Sequence, residues 1–111
     1  SVAPSPLSQQ AFLEGSIQKP LERMRQQKTE LEKQLQAAEQ RHGPHHLQVA
    51  VTLKSLARTY ASLGDARHQK DLLERALGIF ERVCGPYSTQ VADALVSLSH
   101  AHGALGHAQQ Q

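Results

Sequence analysis

The residues of this chain best suited to chemistry are its seven histidines and its single cysteine. Three histidines, His42, His45 and His46, lie close together, and imidazole is a common zinc ligand. No Cys-x-x-Cys pair accompanies them, and no histidine is paired with a glutamate in the spacing of a helical metal motif. His100 and His102 are two residues apart, which places them on different faces of a helix. We therefore predict no bound metal.

The sequence also lacks the arrangements that catalysis requires. Cys84 could act as a nucleophile beside a histidine, but it directly precedes a Gly-Pro pair at a predicted helix end, where we expect an inert side chain. No glycine-rich phosphate loop is present. Four glutamates lie on a polar helix face and do not converge on a pocket: Glu22, Glu30, Glu32 and Glu39. We predict neither an enzyme nor a cofactor.

Composition restricts the other classes of function. Aromatic residues make up only 4% of the chain, so a core would consist of leucine, alanine and valine, as between close-packed helices. A net charge of +2 does not indicate the strongly basic surface that is typical of nucleic-acid binding. No apolar run approaches the ~18 residues of a membrane span. One cysteine excludes an internal disulfide and favours a reduced, cytoplasmic setting. The absence of an initial methionine predicts a piece of a longer protein.

A repeated passage carries most of the information about fold. Residues 43–50 and 85–92 are 42 positions apart and match at five of their eight residues. A fixed period in this range indicates stacked helical units. Such arrays usually present a binding surface and seldom perform chemistry. The correspondence continues through Leu53 and Leu95, Ser55 and Ser97, Leu56 and Leu98, Leu63 and Leu105, and Gly64 and Gly106.

Apolar periodicity predicts an all-α chain of about five helices. Residues 1–19 form a tail with a short helix over 6–18, and Pro20 begins a long helix that ends before Gly43-Pro44. Residues 43–84 form one complete repeat, with helices over 47–62 and 66–83 separated by Gly64-Asp65. Residues 85–111 hold the first helix of a further repeat, over 89–105.

The long helix over residues 20–42 has a narrow apolar stripe at heptad spacing. Two polar residues, Lys28 and His42, interrupt it. We favour packing of this stripe onto helix 47–62, and the alternative is a coiled coil between copies of the chain. The remaining stripe positions are Leu21, Met24, Leu31, Leu35 and Ala38.

The complete repeat resembles a tetratricopeptide repeat. The resemblance lies in Leu53-x-x-Leu56-Ala57-x-x-Tyr60-x-x-x-Gly64, followed by Leu73-x-x-Ala76-Leu77. The segment Gly43-Pro44-His45-His46 is similar to the long, 42-residue class found in kinesin light chains. The resemblance implies an array of antiparallel helix-turn-helix units, with residues 20–42 as a degenerate or capping helix. A HEAT-like repeat is the alternative suggested by length alone.

The chain departs from the tetratricopeptide pattern at several positions. Gln69 stands where the pattern has a small residue at the helix crossing. In the second copy, Ser99 replaces Ala57 and His102 replaces Tyr60. The second copy therefore lacks the wedge that the tyrosine of the first copy provides.

The resemblance also implies a peptide-binding groove lined by the first helix of each unit. Within it, Lys54 and Arg58 lie one helical turn apart on one face and could bind a carboxylate or an acidic peptide. The plainer interpretation of this pair is a solvated basic edge. The predicted groove residues are Val51, Lys54, Arg58 and Ser62 from the first copy, and Asp93, Val96 and His100 from the second.

The sequence thus predicts a non-enzymatic protein–protein interaction module, a scaffold or adaptor that binds a peptide or a partner helix. The alternative is a helical oligomerisation module that pairs through residues 20–42 and the open C-terminal helix. The last helix has no following partner helix within the 111 residues, and its exposed apolar side could recruit a second copy of the chain.

Overall fold

The computed structural model describes the backbone of residues 6–110 and the side chains of residues 19–106. This part of the chain is entirely helical apart from short turns. The four helices are α1 (Pro6–His42), α2 (Leu47–Ser62), α3 (Ala66–Cys84) and α4 (Thr89–Gln110). The predicted all-α class is confirmed.

Each helix packs mainly against its neighbours in sequence, α1 on α2, α2 on α3 and α3 on α4. The turns between them are three or four residues long, so consecutive helices run antiparallel. Leucine, alanine and valine supply most of the core, with one large aromatic residue, Phe80. The fully covered positions include Val49, Ala50, Leu53, Ala57, Leu73, Ala76, Ala94 and Ala101.

Glycines and capping side chains end and begin the helices where the sequence indicates. Gly43, Gly64 and Gly85 all have positive φ, between 80° and 91°, which glycine adopts without steric cost. Asp65 caps α3, because its carboxylate accepts a hydrogen bond from the backbone N–H of His68 at 3.1 Å. The predicted breaks at all three glycines are confirmed.

The prediction of five helices is wrong, because α1 continues without a break through Pro20. A proline inside a helix removes one backbone hydrogen bond and crowds the preceding turn. The residues that follow it, 21–41, are mostly leucine, glutamine, glutamate, lysine and arginine, which favour helix. The helix therefore tolerates one local defect, and the predicted tail over residues 6–19 is part of α1. Residues 1–5 lie outside the described part.

The predicted end of the last helix is also wrong. Gly106 corresponds to Gly64 in the repeat, yet α4 continues past it to Gln110. After Gly64, the backbone N–H of Asp65 bonds the carbonyl of Tyr60 at 2.9 Å, and Asp65 then caps the next helix. His107 follows Gly106 instead of an aspartate. Without that capping residue, the helix is not ended at the glycine.

The apolar stripe of α1 packs against α2. Leu35 and Ala38 join the core cluster that contains Val49, Ala50 and Leu53. The other apolar stripe residues, Leu21, Met24 and Leu31, are half-buried. Within the described residues, this stripe is used inside the chain, as the favoured interpretation of the heptad pattern expected.

Candidate functional site

The predicted groove residues lie on the solvent side of α2 and α4. Six of the seven are exposed, and Lys54 is half-buried. The opposite sides of the two helices hold buried residues at matching repeat positions, such as Val49 on α2 and Val91 on α4. The helical period thus directs the predicted set away from the core.

A small cavity of about 100 Å³ lies among α2, α3 and α4. Lys54 and Arg58 both line it, so the structure brings the predicted basic pair to one site. Val51, Ser62, Val96 and His100 do not line it. The rest of the lining consists of Ala57, Ala61, Gln69, Leu73 and Ser97.

Lys54 forms an ion pair with Asp93, another predicted groove residue. Its Nζ lies 3.5 Å from Asp93 Oδ2, and the pair joins α2 to α4. The aspartate side chain is 68% exposed, so water and salt weaken the attraction. A ligand carboxylate can therefore replace the Asp93 carboxylate at Lys54 with little loss of free energy.

Arg58 is the freer of the two cations. Its side chain is exposed, and its guanidinium makes no ion pair with any residue between 19 and 106. The hydroxyl of Ser62 donates to the backbone carbonyl of Arg58 at 3.2 Å, and this bond does not involve the guanidinium. Arg58 therefore presents a planar set of N–H donors to a ligand at the cavity mouth.

Two polar lining residues, Gln69 and Ser97, were missing from the predicted site. Gln69 had a signal in the sequence, because it replaces the small residue of the repeat pattern at the helix crossing. Its half-buried side chain borders the cavity between α2 and α3. Ser97 had no such signal, because it matches Ser55 of the first copy. Both can donate and accept hydrogen bonds beside the basic pair.

Tyr60 joins three helices on one edge of the molecule. Its hydroxyl donates to Glu32 Oε1 on α1 at 3.0 Å, and Lys28 Nζ lies 5.3 Å from the ring centroid. On the other side, its ring stacks on His68 of α3 with centroids 4.8 Å apart. The polar interruption of the α1 stripe at Lys28 is thus explained by a cation–π contact.

Two ionisable groups at this junction have shifted pKa values. Burial raises the pKa of Tyr60, and the hydrogen bond and negative charge of Glu32 raise it further. The hydrogen bond from the backbone N–H of His68 lowers the pKa of the Asp65 carboxyl, with support from the His68 ring and the charge of Lys28. Both shifts follow from structural contacts, and neither prepares a group for acid–base chemistry.

Three of the histidines, His42, His46 and His68, make structural contacts. His46 caps α2 by accepting the backbone N–H of Gln48 at its Nδ1, 3.0 Å away. His42 stacks on His46 with centroids 4.1 Å apart. His68 Nδ1 lies 2.7 Å from Asp65 Oδ2. No group of three histidine, cysteine, aspartate or glutamate residues close enough to hold a metal occurs in the described part of the chain.

A second, more open depression of about 630 Å³ lies where α1 ends and α2 begins. His42 and His46 line it together with Arg41, Gln48 and Thr52. The imidazoles stack on each other, one of them caps α2, and the Thr52 hydroxyl donates to the Gln48 carbonyl at 2.9 Å. Several of its polar groups are therefore already engaged, although Arg41, like Arg58, makes no ion pair with any residue between 19 and 106.

No model of a known protein family matches the chain, and a comparison with curated proteins found no match. Across residues 6–110, no helix combines the length and apolar character needed to cross a membrane.

Proposed function

We propose that the protein is a non-enzymatic interaction module, a tetratricopeptide-like scaffold or adaptor that binds an acidic peptide at the cavity among α2, α3 and α4. The observation that carries the proposal is the convergence of Lys54 and Arg58 on one concave site. The helices around it pack in chain order and are joined by short turns, which suits a repeat array.

Each lining group has a role in the proposed complex. The guanidinium of Arg58 binds a ligand carboxylate through two parallel hydrogen bonds, since it has no competing ion pair among the described residues. Lys54 supplies a second positive charge by exchanging Asp93 for the ligand. Gln69 and Ser97 orient the peptide backbone, and exposed Val51 and Val96 add apolar contact at the sides.

A cytoplasmic location belongs to the same proposal. Its support is Cys84, the chain's one cysteine, which is half-buried and has no disulfide partner within the chain. No cofactor takes part, because the proposed binding needs only charge and hydrogen bonds.

Fluorescence polarisation with labelled ten-residue peptides tests the proposed binding. The probes are an acidic peptide containing four aspartates and a matched peptide with asparagines in their place. We expect the acidic probe to bind more tightly, and its affinity to fall as salt is raised. The double variant Lys54→Glu plus Arg58→Glu should reduce its affinity at least tenfold.

The matched control is Arg25→Glu plus Lys33→Glu, which makes the same charge change on exposed positions of α1. This control variant should bind the acidic peptide with an affinity within about twofold of that of the unmodified protein. Equal loss in both double variants would mean that only net charge matters, and it would overturn the groove assignment. Equal binding of both peptides by the unmodified protein would overturn the acidic specificity.

A further inference from the structure

The turns that precede α2 and α4 begin with the same Gly-Pro pair but end in different capping residues. His46 precedes α2 and Ser88 precedes α4, and the two positions are one repeat period apart. Nδ1 of His46 accepts the backbone N–H of Gln48 at 3.0 Å, and Oγ of Ser88 accepts the backbone N–H of Val91 at 3.2 Å. Both bonds satisfy a backbone donor in the first turn of a helix. Of the two capping side chains, only histidine changes its charge near neutral pH.

The cap at His46 depends on the protonation state of its ring. An imidazole nitrogen accepts a hydrogen bond only when it carries no proton, so the cap requires a neutral ring with its proton on Nε2. In the protonated ring both nitrogens are donors, and Nδ1–H would face the N–H of Gln48. The positive charge would also lie at the amino end of α2, where the helix dipole disfavours it. Protonation of His46 therefore removes the cap.

The contact between His46 and His42 is weakened by the same protonation. His42 is the last residue of α1, and its ring stacks on that of His46 with centroids 4.1 Å apart and an angle of 16° between the planes. When both rings are protonated, two like charges lie face to face. Both side chains are exposed, so water and salt weaken this repulsion, and loss of the cap is the larger effect.

Among the described residues, no carboxylate lines the depression at this turn, and no residue of α3 or α4 does. Glu39, the nearest acidic residue in sequence, is paired with Arg75 of α3 at 2.9 Å. No opposite charge in the depression therefore offsets a proton on the His46 ring. The other charged or titratable side chains at the turn are Arg41, His42 and His45.

We infer that the α1–α2 turn is a pH-sensitive element, in which protonation of His46 removes the cap of α2 and loosens the packing of α1 against it. Val49 and Ala50, in the first turn of α2, share a core cluster with Ala38 of α1. Because the unfolded chain takes up the proton without losing a cap, the stabilisation is present above about pH 8 and is lost as the pH falls toward about 5. The α3–α4 turn keeps its serine cap, so the effect is confined to one end of the chain.

Two-dimensional ¹H–¹⁵N NMR of the unmodified protein tests the cap directly. At pH 7.5 the His46 ring should carry its proton on Nε2. The Gln48 amide resonance should then shift as that ring titrates between pH 7.5 and pH 5, and the Val91 amide, which Ser88 caps, should shift much less. A proton on Nδ1 at pH 7.5, or equal shifts of the two amides, would overturn the inference.

Urea denaturation of the unmodified protein and His46→Ser at the same two pH values tests the effect on stability. Between pH 7.5 and pH 5, the folding equilibrium constant should fall about fivefold more in the unmodified protein, the usual effect of losing one helix cap. Serine supplies the kind of cap that α4 already has, so the variant should fold, as circular dichroism would verify. The other titrating groups, among them His68 beside Asp65, are common to both proteins.

His45→Ser is the matched control, because it removes an exposed histidine of the same turn and leaves the cap in place. This variant should keep the pH dependence of the unmodified protein. If His46→Ser keeps the same pH dependence as the unmodified protein, or if His45→Ser loses as much of it as His46→Ser does, the inference is wrong.

Discussion

Tyr60 shows how one side chain can connect three helices. It lies at the end of α2, donates a hydrogen bond to Glu32 on α1 and stacks on His68 near the start of α3. The sequence resemblance predicted a wedge-like role for this residue, but its polar partners could not be predicted. Glu32 is 28 positions away, and nothing in the local pattern relates the two.

Removing the Tyr60 hydroxyl tests how much its hydrogen bond to Glu32 stabilises the folded protein. We expect Tyr60→Phe to lower the free energy of unfolding by about 1 kcal/mol, because a hydrogen bond to a carboxylate is lost at a half-buried site. Urea denaturation measures the change. Combined with Glu32→Ala, the loss should be smaller than the sum of the single effects. Strict additivity would show that the hydroxyl and the carboxylate do not interact in solution.

Asp65 makes the stability of α3 depend on pH. Its pKa is lowered in the folded state from an unfolded value near 3.9, since the ionised carboxylate accepts the His68 backbone N–H. The stabilisation is therefore fully present above about pH 4 and is lost as the pH falls through the folded pKa.

Denaturation of the unmodified protein, Asp65→Ala and Asp65→Asn at pH 7 and pH 3 measures this dependence. The alanine variant should lose about 1 kcal/mol at pH 7, the usual cost of removing a helix cap. Asparagine can still cap the helix and should lose less. The difference in free energy of unfolding between the unmodified protein and Asp65→Asn should be smaller at pH 3 than at pH 7. If this difference stayed the same at both pH values, the charge of the Asp65 carboxylate would not contribute to the stability, and hydrogen bonding alone would explain the cap.

At the scale of the elements, the two copies of the repeat place similar glycines in different conformations. Gly64 ends α2 with φ +80°, whereas Gly106 is helical. The difference was not visible in the aligned residues, because it depends on the residue that follows. Aspartate at position 65 begins a new helix, while His107 and Ala108 continue the old one. Periodicity likewise predicted helices 47–62 and 66–83 to within one residue, but it ended the last helix too early and overestimated the effect of Pro20 on α1.

Alanine substitution at these two glycines should have opposite effects. Gly64→Ala forces a Cβ into the left-handed region and should destabilise the protein by about 1–2 kcal/mol. Gly106→Ala should stabilise it by about 0.5–1 kcal/mol, because alanine loses less backbone entropy in a helix. Neither added Cβ meets another atom within 4 Å, so steric clashes with neighbouring residues do not contribute to the difference between the two variants. Thermal denaturation of both variants is the measurement, and equal effects would show that α4 ends at Gly106.

At the scale of the whole molecule, the sequence could place the basic pair on one helix face but could not predict its contacts with other helices. The helical period alone placed Lys54 and Arg58 together, because they lie four residues apart on one helix. The ion pair between Lys54 and Asp93 joins separate helices and depends on how α2 and α4 lie across α3. That arrangement is set by core packing, which a single sequence does not specify at the level of side-chain distances.

The linear arrangement of the helices predicts unequal stability along the chain. α2 is covered by α1 and α3, and α3 by α2 and α4, whereas α4 is covered on one side only. When helices pack only on their neighbours in sequence, each is stabilised mainly by those neighbours. Hydrogen exchange at low protein concentration should therefore be slowest in α2 and α3 and faster in α4. Protection of α4 equal to that of α2 in dilute solution would instead mean that the four helices unfold as a single unit.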